Sequence, residues 1–171
     1  MQDRETLVNE LRQTESALLA AVEGLSAEQI EYAPAGEWSI RQCAGHLALS
    51  EDEMYGAIKK MLAAPAQPGR VPHLSDDWVR NYGTDREQAK SKTSPSLEPA
   101  DQWPDLAAAI EHFRASRART IELALGAPED LRSHLDERGD LDAWQYFLIA
   151  ATHTTRHIRQ IEELKVRAGA A

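Results

Sequence analysis

The sequence predicts an all-α protein, a four-helix bundle folded as one domain over residues 1–171, and three observations carry that expectation. Apolar residues recur at three- and four-residue intervals in four long segments, the spacing that lays a single stripe along a helix. β-Favouring runs are scarce, because the chain has 2 phenylalanines and its Val and Ile are scattered. With 171 residues, 42% hydrophobic and 27% charged, the chain has enough apolar material for one core. Its length falls in the range, roughly 100–200 residues, that a single core usually serves.

The first helix is expected over 3–23, where Leu7, Leu11, Leu18 and Val22 form the stripe and Gly24 closes it. The second, over 40–63, opens at Ser39-Ile40-Arg41-Gln42. This is a capping box: the serine hydroxyl accepts an early backbone N–H and the glutamine reaches back to the serine N–H. Trp38 is placed to pack on that first turn. Cys43, Leu47, Met54, Ile58 and Met61 continue the stripe until Pro65, whose ring cannot extend a helix interior.

The next stretch, 64–102, contains Pro65, Pro68, Pro72, Pro95 and Pro99 and one short helical possibility at 75–81. Connections this long are usually functional or disordered. One can also serve as a crossover that carries the chain back along the bundle, so that the second and third helices need not be antiparallel. The third helix opens with Pro104, tolerated at a first helical position, and buries Leu106, Ile110, Phe113, Ile121 and Leu125 before Gly126. The fourth starts at Asp140 or Asp142 and buries Trp144, Leu148, Ala151, Ile158 and Ile161, with a frayed tail expected after Lys165.

The chain has 28 acidic and 19 basic residues, a formal net charge of −9. An acidic surface repels phosphate backbones, and no Lys/Arg run alternates with aromatics, so nucleic acid is excluded as the main partner. The uncharged stretch 143–152 is far short of the ~20 apolar residues that cross a bilayer. The first residues lack the basic-then-apolar pattern of an export signal, and a cytoplasmic location is expected. Cys43 is the single cysteine, so neither an internal disulfide nor a multi-thiolate zinc site can form. Any metal is held mainly by nitrogen and oxygen.

The six histidines, at 46, 73, 112, 134, 153 and 157, are the most informative feature. His153 and His157 stand four apart in the fourth helix, so their rings project from one face about one turn apart. Two ligands of one metal suit that geometry; two core-edge or solvent-facing imidazoles are the alternative. Ile149 and Ile161 extend the same row one turn to either side. His46 has a comparable place in the second helix, beside Leu47, from which it could converge on the pair. Three neutral imidazoles leave positions open on a metal for water or substrate.

Other metal motifs fail on particular residues. In His153-Thr154-Thr155-Arg156-His157 a threonine occupies the place of the glutamate base of H-E-x-x-H zinc proteases. Di-iron bundles use Glu-x-x-His, but Cys43, Ala109, Ala150 and Thr154 stand three before His46, His112, His153 and His157.

Trp38-Ser39 followed by His46-Leu47 and Glu51, then His153-x-x-x-His157 with Ile158 and Gln160, resembles the DinB/YfiT-like superfamily of bacterial four-helix metalloproteins. The likeness covers nearly the whole chain. It implies parallel second and third helices and a divalent metal held by His46, His153 and His157. It also implies a homodimer, and a small-molecule reaction in which some members transfer low-molecular-weight thiols such as bacillithiol or mycothiol or isomerise a thiol adduct. Imidazole suits zinc, nickel, copper and iron alike, with zinc and nickel the first candidates.

A ligating histidine usually donates its other N–H to an oxygen. Glu51 is turned about 140° from His46 and Glu53 about 20°, so Glu53 is the better partner, though both also read as solvated acids. Cys43 reads as a buried core residue, with a thiolate ligand as the alternative. His73 and His134 fall in loops and are expected in solvent, and His112 at a rim of the third helix. Trp78 and Tyr82 either anchor the long connection or cover a substrate. The expected function is a metal-dependent enzyme that activates a thiol or water for transfer or hydrolysis. A non-catalytic, dimeric, stress-related metal-binding module is the alternative, and a metal-free interaction protein the third reading.

Overall fold

The computed structural model describes residues 2–85, 93–99, 102–128 and 130–169. Its helices are α1 (Gln2–Val22), α2 (Ala27–Glu31), α3 (Ile40–Ala63), α4 (Asp76–Thr84), α5 (Leu106–Gly126) and α6 (Ala143–Gly169). The four long ones, α1, α3, α5 and α6, form the expected all-α bundle. Extended pairing among the described residues is limited to one bridge, between Leu135 and Asp142. No helix of the described residues is long and apolar enough to cross a membrane.

Local chemistry sets the helix ends. Ser39 and Gln42 form the expected capping box, and Ser26 and Gln29 form a second one that starts α2. α5 begins two residues later than Pro104 suggests, because the Asp105 carboxylate accepts the Ala108 N–H and so becomes the cap. α4 begins where the Ser75 hydroxyl accepts the Trp78 N–H. α6 does not fray after Lys165. Lys165 donates to the Ala21 carbonyl and Arg167 pairs with Glu37 at 2.9 Å, so the helix runs to Gly169.

Pairs joining α3 to α5 keep the same order on both helices. Arg41 reaches the Trp103 carbonyl just ahead of α5, Asp52 holds His112 and Ser116, and Arg119 lies over Tyr55. Parallel neighbours make contacts in that order. Of the long connection, residues 86–92 and 100–101 lie outside the described residues. Gly45 lets the Trp103 indole rest on α3, since a Cβ there would fall 2.8 Å from its Cδ1.

The core has two apolar parts. One contains Leu7, Leu11, Ile58, Phe147 and Leu148, the other Leu18, Ile40, Leu47, Phe113 and Ile161. On each long helix polar residues separate the two: Thr14 on α1, Ser50 and Glu51 on α3, Ser116 and Arg117 on α5, Thr154 and His157 on α6. The stripe expected on the third helix is corrected at its end. Ala124 is buried there and Leu125 is 53% exposed.

Candidate metal centre

α3 and α6 bring His46, His153 and His157 together within that polar layer. One ligand nitrogen from each lies within 4.8 Å of the others. His153 Nε2 is 3.3 Å from His46 Nε2 and 3.2 Å from His157 Nε2. His46 and His157 are buried, while His153 is partly exposed. The four-residue spacing on α6 supplies two of the rings, and the capping box of α3 fixes the helix that carries the third. Trp38, just before that cap, packs its ring 4.7 Å from His46 and 6.2 Å from His157.

The outer nitrogens set the tautomers. His46 Nδ1 donates to the Leu97 carbonyl at 2.8 Å, and His157 Nδ1 to Gln160 Oε1 at 3.0 Å. Both Nε2 atoms therefore carry lone pairs that point inward. Ser50 Oγ is 3.3 Å from His46 Nε2, and a proton on His153 Nε2 could serve His157. That arrangement of protons still leaves His153 Nδ1, which is buried, without a hydrogen-bond partner. Three converging lone pairs, two of them held by N–H donation to an oxygen on the far side of the ring, are the donor set a divalent cation takes. The residues fit the metal.

Burial keeps the rings neutral. It lowers the proton affinity of His46, brings His153 down to about 3, and holds His157 well below the ordinary histidine value. The charge of Arg156, on α6, lowers all three further; His46 disfavours protonation of His153, and both disfavour protonation of His157. Neutral imidazole is the ligating form, so the cluster is ready to bind a cation well into the acidic range.

A pH dependence follows for the metal-free protein. Below about pH 6.5 the unfolded chain takes up protons that the folded chain refuses, so acidification destabilises the fold. Between pH 7 and 5 the two most strongly shifted histidines, His153 and His157, should together remove roughly 4 kcal/mol. Urea unfolding of chelator-treated protein at the two pH values measures it, and equal midpoints would contradict the buried neutral cluster.

The remaining candidates fall elsewhere. Glu53 is exposed, as its reading as a solvated acid has it, and does not support a histidine; Glu51 is 1% exposed and paired with Arg117, against the same reading for it, and neither acid is hydrogen-bonded to an imidazole. Cys43 is buried in the apolar core and is not among the converging ligands. His134 is buried, against the expectation of a solvated loop residue. The turn at 131–133 folds it onto the C-terminal end of α3, where Nδ1 lies 3.2 Å from the Met61 carbonyl. His73 is exposed beside Asp140. His112 faces Asp52 at 2.7 Å and packs on Trp103, outside the cluster.

Sequence reasoning missed Ser50 and the Leu97 carbonyl. Ser50 carried a legible signal, one helical turn after His46 on the same face; the carbonyl, in an irregular segment, carried none. Trp78 and Tyr82 are 42% and 36% exposed, and the anchor that pins α4 to the bundle is Val79 at 1%.

Fold and site together define a class: a helical bundle whose α3 and α6 converge three imidazoles on one point. The chain belongs to the DinB superfamily, whose sequence profile matches residues 10–161. Among solved structures, the fold is similar to that of YfiT from Bacillus subtilis, described as a probable metal-dependent hydrolase with an unusual four-helix bundle topology. The two share 20% identity with a TM-score of 0.65, over 97% of this chain and 87% of the other. A search of curated proteins finds no significant match.

Proposed function

We propose that this protein is a metal-dependent enzyme in which His46, His153 and His157 hold one divalent cation, zinc or nickel first. The observation that carries the reading is the convergence of three Nε2 atoms whose tautomers, for His46 and His157, are fixed by outer acceptors. A cation in that place supplies Lewis acidity, which makes a bound oxygen or sulfur donor easier to deprotonate.

The chain's own residues do the rest. Leu97 and Gln160 keep two rings in the ligating tautomer, and Ser50 offers a hydroxyl beside His46 Nε2. Trp38 covers His46 and His157 on one side. Of the three histidines, His153 also lines a neighbouring cavity, where a small substrate could sit beside the cluster. Water as the nucleophile gives a hydrolase, the class named as probable for YfiT. A low-molecular-weight thiol in the same position gives an S-transferase, as the resemblance of the sequence implies. Glu51 is committed to Arg117 and is not available as a base beside the cluster.

Elemental analysis of protein purified without chelator should find about one divalent metal per chain. The preparation is then offered aryl esters, and separately thiols with an electrophile panel. Turnover that vanishes on chelation and returns with metal is the expected result; stoichiometric metal with no turnover in either panel leaves only the non-catalytic module. Sedimentation of the same sample tests the homodimer.

A further inference from the structure

We propose that the cavity beside the histidine cluster takes an uncharged, flat aromatic molecule with a hydrogen-bond acceptor, a carbonyl or ether oxygen, that meets the Tyr146 hydroxyl. The proposal rests on the metal-enzyme reading above and names its substrate class. The cavity holds about 660 Å³, within the roughly 300–1,000 Å³ typical of small-molecule sites.

α6 supplies one wall. Tyr146, Ile149 and His153 all line the cavity, and steps of three and four residues set them in one row along the helix. At ~1.5 Å per residue, Tyr146 stands about 10 Å before His153. α4 supplies another wall and runs beside α6 in the same direction. At its start the Gln145 amide donates to the Leu74 carbonyl and to Asp76. At its end a Cβ on Gly83 would collide with the Thr152 side chain, and Arg159 donates to the Thr84 carbonyl. Trp78 and Tyr82, which also line the cavity, fall between those two levels and so between Tyr146 and His153. Their rings stack 4.7 Å apart at 9°. Val79 already anchors α4, so this partly exposed stack is free of that duty and offers a face for a flat ring.

The charges of the lining cancel, with Lys60, Arg138 and Arg156 against Asp136, Glu137 and Asp140. Lys60 holds Glu137 at 2.6 Å, His73 holds Asp140 at 3.0 Å, and Arg156 has a partner of its own. An ionic ligand would give up its hydration without a counter-charge reserved for it. Tyr146 offers a different contact. It is half-buried, and among the described residues no hydrogen bond engages its hydroxyl. Burial first, then the Asp136 and Asp140 carboxylates, raise its proton affinity above that of an ordinary phenol. It therefore keeps its proton and donates, and the complementary group on a ligand is an acceptor. A molecule so held lays its ring on Trp78 and Tyr82 and directs its far end to His153.

Ligand-observed NMR titration of chelator-treated and zinc-loaded protein tests this with four molecules of one shape: 1-indanone, indane, indane-1-carboxylate and the 1-aminoindane cation. In both preparations indanone should bind about fivefold tighter than indane, roughly the factor that one neutral hydrogen bond supplies, and tighter than either ion. Tyr146→Phe should bring indanone and indane together while leaving indane unchanged, and Trp78→Ala should weaken both by a similar factor. Circular dichroism confirms that each variant is folded. Tighter binding of either ion, a ketone preference that survives Tyr146→Phe or needs the metal, or unchanged affinities in Trp78→Ala would overturn the proposal. Failure of the metal reading shows separately, as absent metal in elemental analysis while the indanone preference persists.

Discussion

Replacing Arg117 with methionine is expected to cost about 3–5 kcal/mol of folding stability, because it strands the Glu51 carboxylate in the middle of the bundle. The guanidinium meets that carboxylate with two bonds of 2.8 Å, from Nε and Nη2, and both side chains are essentially inaccessible, at 0% and 1%. Its remaining N–H groups tie three segments together, donating to the Leu11 carbonyl and Thr14 on α1 and to the Ala150 carbonyl and Thr154 on α6. Burying two charges is expensive, and the pair is tolerated because every donor has an acceptor. Removing one partner leaves the desolvation of the other without compensation.

The double variant Glu51→Leu, Arg117→Met should therefore recover most of the loss, since it removes both charges and keeps an apolar volume. Urea unfolding of the wild type, both single variants and the double variant closes the cycle. A single-variant loss under about 1 kcal/mol would show a solvated pair, and a double variant no better than Arg117→Met would show that the stranded charge is not the source of the cost.

The same residue shows what could be read from the chain and what could not. Helix periodicity located all four long helices, because each carries an apolar row that one turn of register cannot disguise. Ser39 and Gln42 marked the start of α3 to the residue; the equivalent signal at Ser26 and Gln29 was present in the sequence and announces α2 equally well. Arg117 was legible in principle as a charge at a core position: the row Ile110, Phe113 continues four residues on to 117. Its partner was missed because the angle of Glu51 was measured against His46 alone. In a four-helix bundle α3 faces both α5 and α6, so an acid turned away from the histidines can still point into the interior. The burial of His134 depended on a chain reversal at 131–133, and the acceptor at Leu97 on an irregular segment, neither of which has a periodicity to read. The histidine pair on α6 was the reverse case, a spacing that fixes geometry by itself, with only the approach of His46 left to tertiary structure.

Removal of one imidazole should separate a metal centre from a polar core. Structural zinc sites bind with about 10–16 kcal/mol over four ligands, so each ligand accounts for roughly 2.5–4 kcal/mol, about a 70- to 900-fold change in affinity. His153→Ala and His157→Ala are each expected to weaken divalent-cation binding by that factor, read by competition with a chromogenic chelator. Gln160→Ala removes only the oxygen that orients His157 and should cost about 10–100-fold. His112→Ala, whose ring faces Asp52 outside the cluster, should leave affinity unchanged. Linkage supplies a second reading: free metal at about 100 times its dissociation constant stabilises the native protein by ~2.7 kcal/mol, and that gain should disappear in the two ligand variants and survive in His112→Ala. The metal-free His153→Ala protein should also lose part of the acid sensitivity between pH 7 and 5, because one of the buried bases responsible for it is gone. If metal stabilises His153→Ala and His157→Ala as much as the wild type, the cation lies elsewhere and the converging imidazoles are a polar core held by Ser50, Leu97 and Gln160.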